Sequence, residues 1–170
     1  MVAQLQNKPG GAEICVAMGD FATTSVERQF SLVYLVFNTI MNLTSQDAQV
    51  ACFQNAAAHL ERGGRFVIEV GVPDLQRLPR GEVYRPFTVR QDHLGIDEYD
   101  VLNQGLVSHH YSIDGDHVET IAMPFRFVWP AELDLMARIA GMSLSERWAG
   151  WTREPFTAES ESHVSVWTLG

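Results

Sequence analysis

Leu32-Val33-Tyr34-Leu35-Val36-Phe37, then Thr44 to Leu60, then Arg65-Phe66-Val67-Ile68-Glu69-Val70, is the stretch of sequence that decides the fold. Its first and last pieces are short continuous apolar runs, the pattern of strands covered on both faces in a parallel sheet flanked by helices. Between them, Thr44-Ser45-Gln46-Asp47 has the Ser/Thr-x-x-acid form of a helix start. Val50, Phe53, Ala57 and Leu60 then recur at helical spacing until Arg62-Gly63-Gly64 closes the segment. Strand, helix and strand make one βαβ unit, with a right-handed crossover expected.

Upstream, Met1 to Asn7 reads as the last turns of a helix stopped by Lys8-Pro9-Gly10-Gly11. Ile14 to Met18 (ICVAM) reads as another central strand. Downstream, Gly71 to Gly81 is turn-rich, and Tyr99 to Phe127 alternates like strands on either side of the turn signal Asp114-Gly115-Asp116. Trp129-Pro130-Ala131-Glu132 opens a second helix, with Leu133, Met136 and Ala140 on its apolar face and Gly141 as its stop. Leu144 to Trp148 and His163 to Leu169 are close enough in sequence to pair antiparallel. The expected fold class is α/β, a single domain over 1–170 with an antiparallel β segment inserted over 73–127.

The chain has 170 residues, 46% of them hydrophobic and 19% charged, with a net charge of -9. That is the make-up of a globular domain able to bury its own core. Twelve basic against 21 acidic residues leave no concentrated positive footprint, so neither nucleic acid nor an anionic membrane is expected as the main partner. Cys15 and Cys52 lie in separate apolar stretches and supply no disulfide framework, which fits a reducing, cytoplasmic location. The longest strongly apolar run, Leu32 to Phe37, is too short to cross a bilayer.

Three segments in order, Ile14 to Phe21 (ICVAMGDF), Phe30 to Ile40 (FSLVYLVFNTI) and His59 to Glu69 (HLERGGRFVIE), resemble class I S-adenosylmethionine-dependent methyltransferases. The likeness is greatest to small-molecule enzymes such as the amino-sugar N-methyltransferases. The closing helix and strand pair resemble the same fold. The resemblance implies a Rossmann-like sheet, S-adenosylmethionine as cofactor, and methyl transfer to a nitrogen, oxygen or carbon of a small molecule. It places the adenine at Asp20, as acceptor of the amino group, and at the Phe21 backbone N–H. It places the methionine part at Phe37 and Asn38. Asn42 would face the methyl acceptor, and the inserted segment would cover the acceptor, with Tyr84, His93, His109 or His110 as polar contacts. No general base can be chosen among them. For Asp20 the competing reading is a plain turn after a strand, and for Asn42 an ordinary helix-entry asparagine.

The chain departs from the family at its front. No Gly-x-Gly occurs anywhere in it, and the strands that the family sets between the Ile14 and Leu32 strands are lacking. The expected fold is therefore an N-terminally truncated methyltransferase sheet. Alternatively, the chain is a non-catalytic methyltransferase-like module that binds or oligomerises, its open edges covered by a second copy in a homodimer. No metal site is expected. His109 and His110 are adjacent on a strand and point to opposite faces, and Asp114, Asp116 and His117 form a solvated turn. His59, at a helix end, reads as an imidazolium meeting the negative helix terminus. Trp148 and Trp167 read as core residues.

Overall fold

The computed structural model describes residues 2–170, without the Arg77 side chain; Met1, read with the N-terminal helix, lies outside the described residues. The elements are α1 (Val2–Gln6), β1 (Phe30–Leu35), α2 (Gln46–Ala58), β2 (Leu60–Gly71), β3 (Tyr84–Val89), β4 (His93–Asp100), β5 (Gly105–Asp114), β6 (His117–Arg126), α3 (Pro130–Ile139), β7 (Met142–Trp148) and β8 (Ser162–Leu169). They build two four-stranded sheets, β1-β2-β8-β7 and β3-β4-β5-β6. No helix among the described residues is long and apolar enough to cross a membrane.

The βαβ unit forms as its sequence dictates. β1 and β2 pair in parallel, Val33 opposite Phe66 and Leu35 opposite Ile68. Ser45, rather than Thr44, caps α2, its hydroxyl accepting from the Ala48 N–H at 3.2 Å. The helix ends at Ala58, earlier than the glycine pair suggests. Gly63, at φ 78°, instead lets β2 bulge where its register with β1 shifts. β8 then pairs antiparallel with both β2 and β7.

Both long helices lie on one side of this sheet. Phe53 of α2 meets Phe66 and Trp167 edge-on, with ring centroids 5.1 and 5.4 Å away, and Leu133, Met136 and Ala137 of α3 complete the same core. The expectation that β1 is covered on both faces is therefore corrected. Val33 and Leu35 pack on the core, whereas Leu32 and Tyr34 are 50% and 63% exposed. An unbroken apolar run shows that both faces are apolar but not that both are covered.

Ile14 to Met18 is a second correction. It forms no strand, and Ile14, Val16 and Met18 are exposed. β1 is an edge strand, and among the described residues no strand lies beyond it to receive this segment. β propensity without a partner leaves an extended loop.

The inserted segment forms more strand than the expected hairpin. β5 and β6 do turn at Gly115, with φ 59°, and Asp116. β3 and the start of β4 were hidden by Pro86, which sits where edge strands tolerate it, and by a turn at Arg90–Asp92 that contains no glycine. Register fixes the faces of this sheet. Arg85, Asp97 and Ser108 stand opposite one another on one face, Tyr84, Glu98 and Val107 on the other. The first face turns to the body of the protein through Tyr99, Leu106 and Phe125, packed with Met41 and Phe127.

Candidate active site

In open α/β sheets, ligands sit beyond the carboxyl ends of the parallel strands. Beyond β1, Phe37 and Asn38 adopt φ 57° and 58° in succession, an uncommon backbone for residues with a β-carbon. It is held by three hydrogen bonds to β2. The Phe37 N–H donates to Glu69 Oε2 at 3.2 Å, the Asn38 N–H to the Glu69 carbonyl at 3.3 Å, and Asn38 Oδ1 accepts from the Gly71 N–H at 2.6 Å. The bend leaves the Phe37 ring 85% exposed.

Beyond β2, a cavity of about 510 Å³ opens between the second sheet and the β7–β8 loop. Its wall includes Asp74, Arg85, Phe87, Asp97, Tyr99 and Glu161. Arg85 forms an ion pair with Asp74 and donates to its carbonyl at 3.0 Å. Burial raises the Asp97 carboxyl above the ordinary aspartate range, opposed by a hydrogen bond from Ser108 and by His110, Arg85 and His109. Burial likewise raises the Tyr99 phenol, helped by the charge of Asp97.

A buried polar cluster ties the second sheet to the two long helices. Arg126, at the end of β6, donates to Glu132 Oε1 of α3 at 2.8 Å and to Gln104 at 3.0 Å, and also to Gln49 of α2. Gln49 is fully buried and returns hydrogen bonds to the Ile40 and Arg126 carbonyls, both at 3.2 Å. Burial pushes Glu132 upward, but hydrogen bonds from Arg126, Gln104 and Gln46 hold it below the usual glutamate range.

Asp20 and Phe21 lie elsewhere. Asp20 Oδ1 accepts from the Ala22 N–H at 2.8 Å, closing a turn whose Phe21 and Thr24 carbonyls both accept from Asn55 Nδ2 at 3.0 Å. The next anchor is His59, whose Nδ1 donates to the Asn55 carbonyl while Nε2 accepts from the Val26 N–H at 2.9 Å. That arrangement requires a neutral ring, which corrects the imidazolium reading. α2 runs back along β1, and the Phe30 N–H donates to the His59 carbonyl. The turn therefore sits towards the amino end of β1, over an apolar cavity of about 270 Å³ bordered by Phe21, Val33, Cys52 and Phe66. Phe37 and Asn38 lie beyond the other end of that six-residue strand.

Among solved structures, the CcbJ methyltransferase of Streptomyces caelestis is 34% identical to this chain, with a TM-score of 0.87 over 99% of this chain and 69% of that one. The chain belongs to the S-adenosylmethionine-dependent methyltransferases. This methyltransferase is also 27% identical, over 95% of its length and 67% of the relative's, to the cypemycin N-terminal methyltransferase of a Streptomyces species. It shares its fold with S-adenosylmethionine-bound CalS10, an amino pentose methyltransferase from Micromonospora echinaspora, at TM-score 0.61 and 18% identity over 89% and 63% of the two chains. No protein-family model matches the sequence.

The cofactor's fit can be judged on the residues present. The methyltransferase has a carboxylate at Asp20 suited to an amino group, and a strained bend at Phe37–Asn38 suited to close backbone approach. These stand at opposite ends of β1 and do not face one ligand, so in this arrangement the two do not together fit the cofactor. Of the acceptor-side residues read from the sequence, Asn42 is exposed and donates to the Thr39 carbonyl at 3.1 Å. Tyr84 and His109 lie on the face of the second sheet turned away from the cavity, where His109 meets Glu98 Oε2 at 2.8 Å. His93 and His110 are on the cavity-side face. Arg85, Asp97 and Tyr99 were not singled out by the sequence reading. The signal for them was strand parity across the insert, readable once His93 to Asp100 is known to be a strand. Among the described residues, no group of three or more His, Cys, Asp or Glu side chains could hold a metal ion.

Proposed function

We propose that this methyltransferase methylates the nitrogen of a small-molecule amine held in the cavity beyond β2, with the segment 73–127 as its acceptor-side cover. The charge of the cavity wall carries this reading. Among the described residues, Asp74, Asp97, Glu159 and Glu161 line it together with Arg85, which already pairs with Asp74. Such a wall attracts an ammonium group and repels carboxylates and phosphates. A reacting amine must lose a proton, and Asp97, raised by burial, is the wall carboxylate suited to accept it. Two similar proteins, an N-terminal methyltransferase and an amino pentose methyltransferase, agree with a nitrogen acceptor.

For the cofactor we assign Phe37 and Asn38, since Asn38 holds Gly71 and the next residue, Val72, lines the cavity. Asp20 and Phe21 join them only when their turn leaves Asn55. Calorimetric titration with S-adenosylhomocysteine tests this. Micromolar binding that Asn38→Ala and Asp20→Ala each weaken about tenfold supports the assignment; no binding by the wild-type chain overturns it. Turnover with S-adenosylmethionine and a panel of small amines, alcohols and thiols tests the acceptor class. Methylation of alcohols or thiols but of no amine refutes the amine reading.

A second reading, a methyltransferase-like module that oligomerises, has one observation in its favour: the free edge of β1 beside exposed Leu32 and Tyr34. Sedimentation equilibrium decides it, a monomer at all concentrations ending the homodimer proposal.

A further inference from the structure

Four polar side chains on the cavity-side face of the second sheet form a continuous row. Asp97, in the cavity wall, stands directly opposite Ser108 across β4 and β5, on the same face. Ser108 Oγ lies 3.4 Å from His110 Nε2, and His110 Nδ1 lies 3.2 Å from His93 Nε2. His93 opens β4 at the exposed turn Arg90–Asp92. Phe87, itself a cavity residue, stacks edge-on against His110 at 5.3 Å. The row thus starts at the cavity and ends at the protein surface.

We propose that Asp97, Ser108, His110 and His93 form a proton exit path that carries the proton of the acceptor amine to solvent. The inference rests on the amine reading of the cavity. Asp97 takes the proton from the ammonium nitrogen, whose lone pair is thereby freed. With Ser108 donating to His110 and both histidines carrying their hydrogen on Nδ1, the protonated Asp97 passes a proton to Ser108 Oγ as Ser108 gives its own to His110 Nε2, and the transfer leaves both histidines with their hydrogen on Nε2. His110 Nδ1–H passes to His93 Nε2, and a proton leaves His93 Nδ1 to water. One proton enters, one leaves, and no oxidant or reductant is needed. The path fixes the tautomers. With Ser108 donating to Asp97 and accepting from His110, both histidines carry their hydrogen on Nε2. In the reverse orientation, both carry it on Nδ1. A mixed pair leaves two lone pairs or two hydrogens facing each other at 3.2 Å.

Long-range proton–nitrogen correlation spectra of the histidine-labelled full chain, assigned with His93→Gln and His110→Gln, read the tautomers directly without any turnover. A shared tautomer at neutral pH is expected, and opposite tautomers overturn the path. In the turnover assay with benzylamine as probe, Asp97→Asn should lower kcat about 100-fold. His110→Gln and His93→Gln should each lower it about tenfold with KM unchanged and should be partly restored by added imidazole. An unchanged kcat in both histidine variants also overturns it. Absence of turnover in wild type counts against the amine reading, while the tautomer measurement still decides whether the row is joined.

Discussion

Lowering the pH from about 7.5 to about 5 should destabilise the protein through His163, whose ring is fully buried at the start of β8. Nδ1 lies 2.7 Å from Ser165 Oγ, Phe156 covers the ring at 5.6 Å, and Nε2 is a buried atom without a partner among the described residues. Burial, reinforced by the Arg147 charge and opposed by Asp134, lowers the pKa from 6.5 to about 4. The folded state therefore resists a proton that the unfolded chain accepts. The stabilisation is complete above pH 6.5 and is lost as pH falls towards the folded value near 4. At 1.36 kcal/mol per pKa unit the whole loss is about 3 kcal/mol, of which roughly 2 kcal/mol is gone by pH 5. Urea unfolding measures this as a midpoint shift of about 1 M. Carboxylates elsewhere titrate in the same window, so the quantity to read is wild type minus His163→Asn. A difference that stays the same at both pH values would refute the reasoning.

Glu132→Ala leaves the Arg126 guanidinium buried with its charge unpaired and should cost about 3–5 kcal/mol, seen in thermal and urea unfolding. Phe53→Ala removes the ring shared by Phe66 and Trp167 and should cost a similar 3–5 kcal/mol or so, read by the same assays. A β-carbon at Gly95 would fall 2.3 Å from the Phe87 ring, so Gly95→Ala should displace that ring and alter acceptor KM while leaving S-adenosylhomocysteine affinity unchanged. Burial, helped by the nearby Asp20 charge, pushes the Cys52 thiol up to about 12, whereas Cys15 is exposed. Iodoacetamide at neutral pH should therefore label one thiol in the native protein and both in denaturant.

Local signals carried much of the fold. The βαβ unit, Pro130 at the start of α3, Gly141 as its stop and the β7–β8 pair follow from patterns within a dozen residues or so. Ile14 to Met18 failed for a non-local reason, because strand formation needs a neighbour that no local pattern can supply. The second sheet was less legible. Which of His109 and His110 faces the cavity is a matter of register, and register in the second sheet depends on a bulge near Phe87 and on a β3–β4 turn without glycine. Asp20 was legible as a turn-forming carboxylate, but its tether to Asn55 is a contact between distant segments and left no mark in the sequence around either.

The position of β8 between β2 and β7 has a consequence for synthesis. As the chain emerges from the ribosome, the βαβ unit is made early, yet β2 presents a bare edge and Phe53 and Phe66 lack Trp167 until β8 has followed. The second sheet, strand next to consecutive strand, can close in the meantime. The nascent protein therefore passes through a stage in which its second sheet is folded and its principal core is not, and that interval is when chaperones have most to bind.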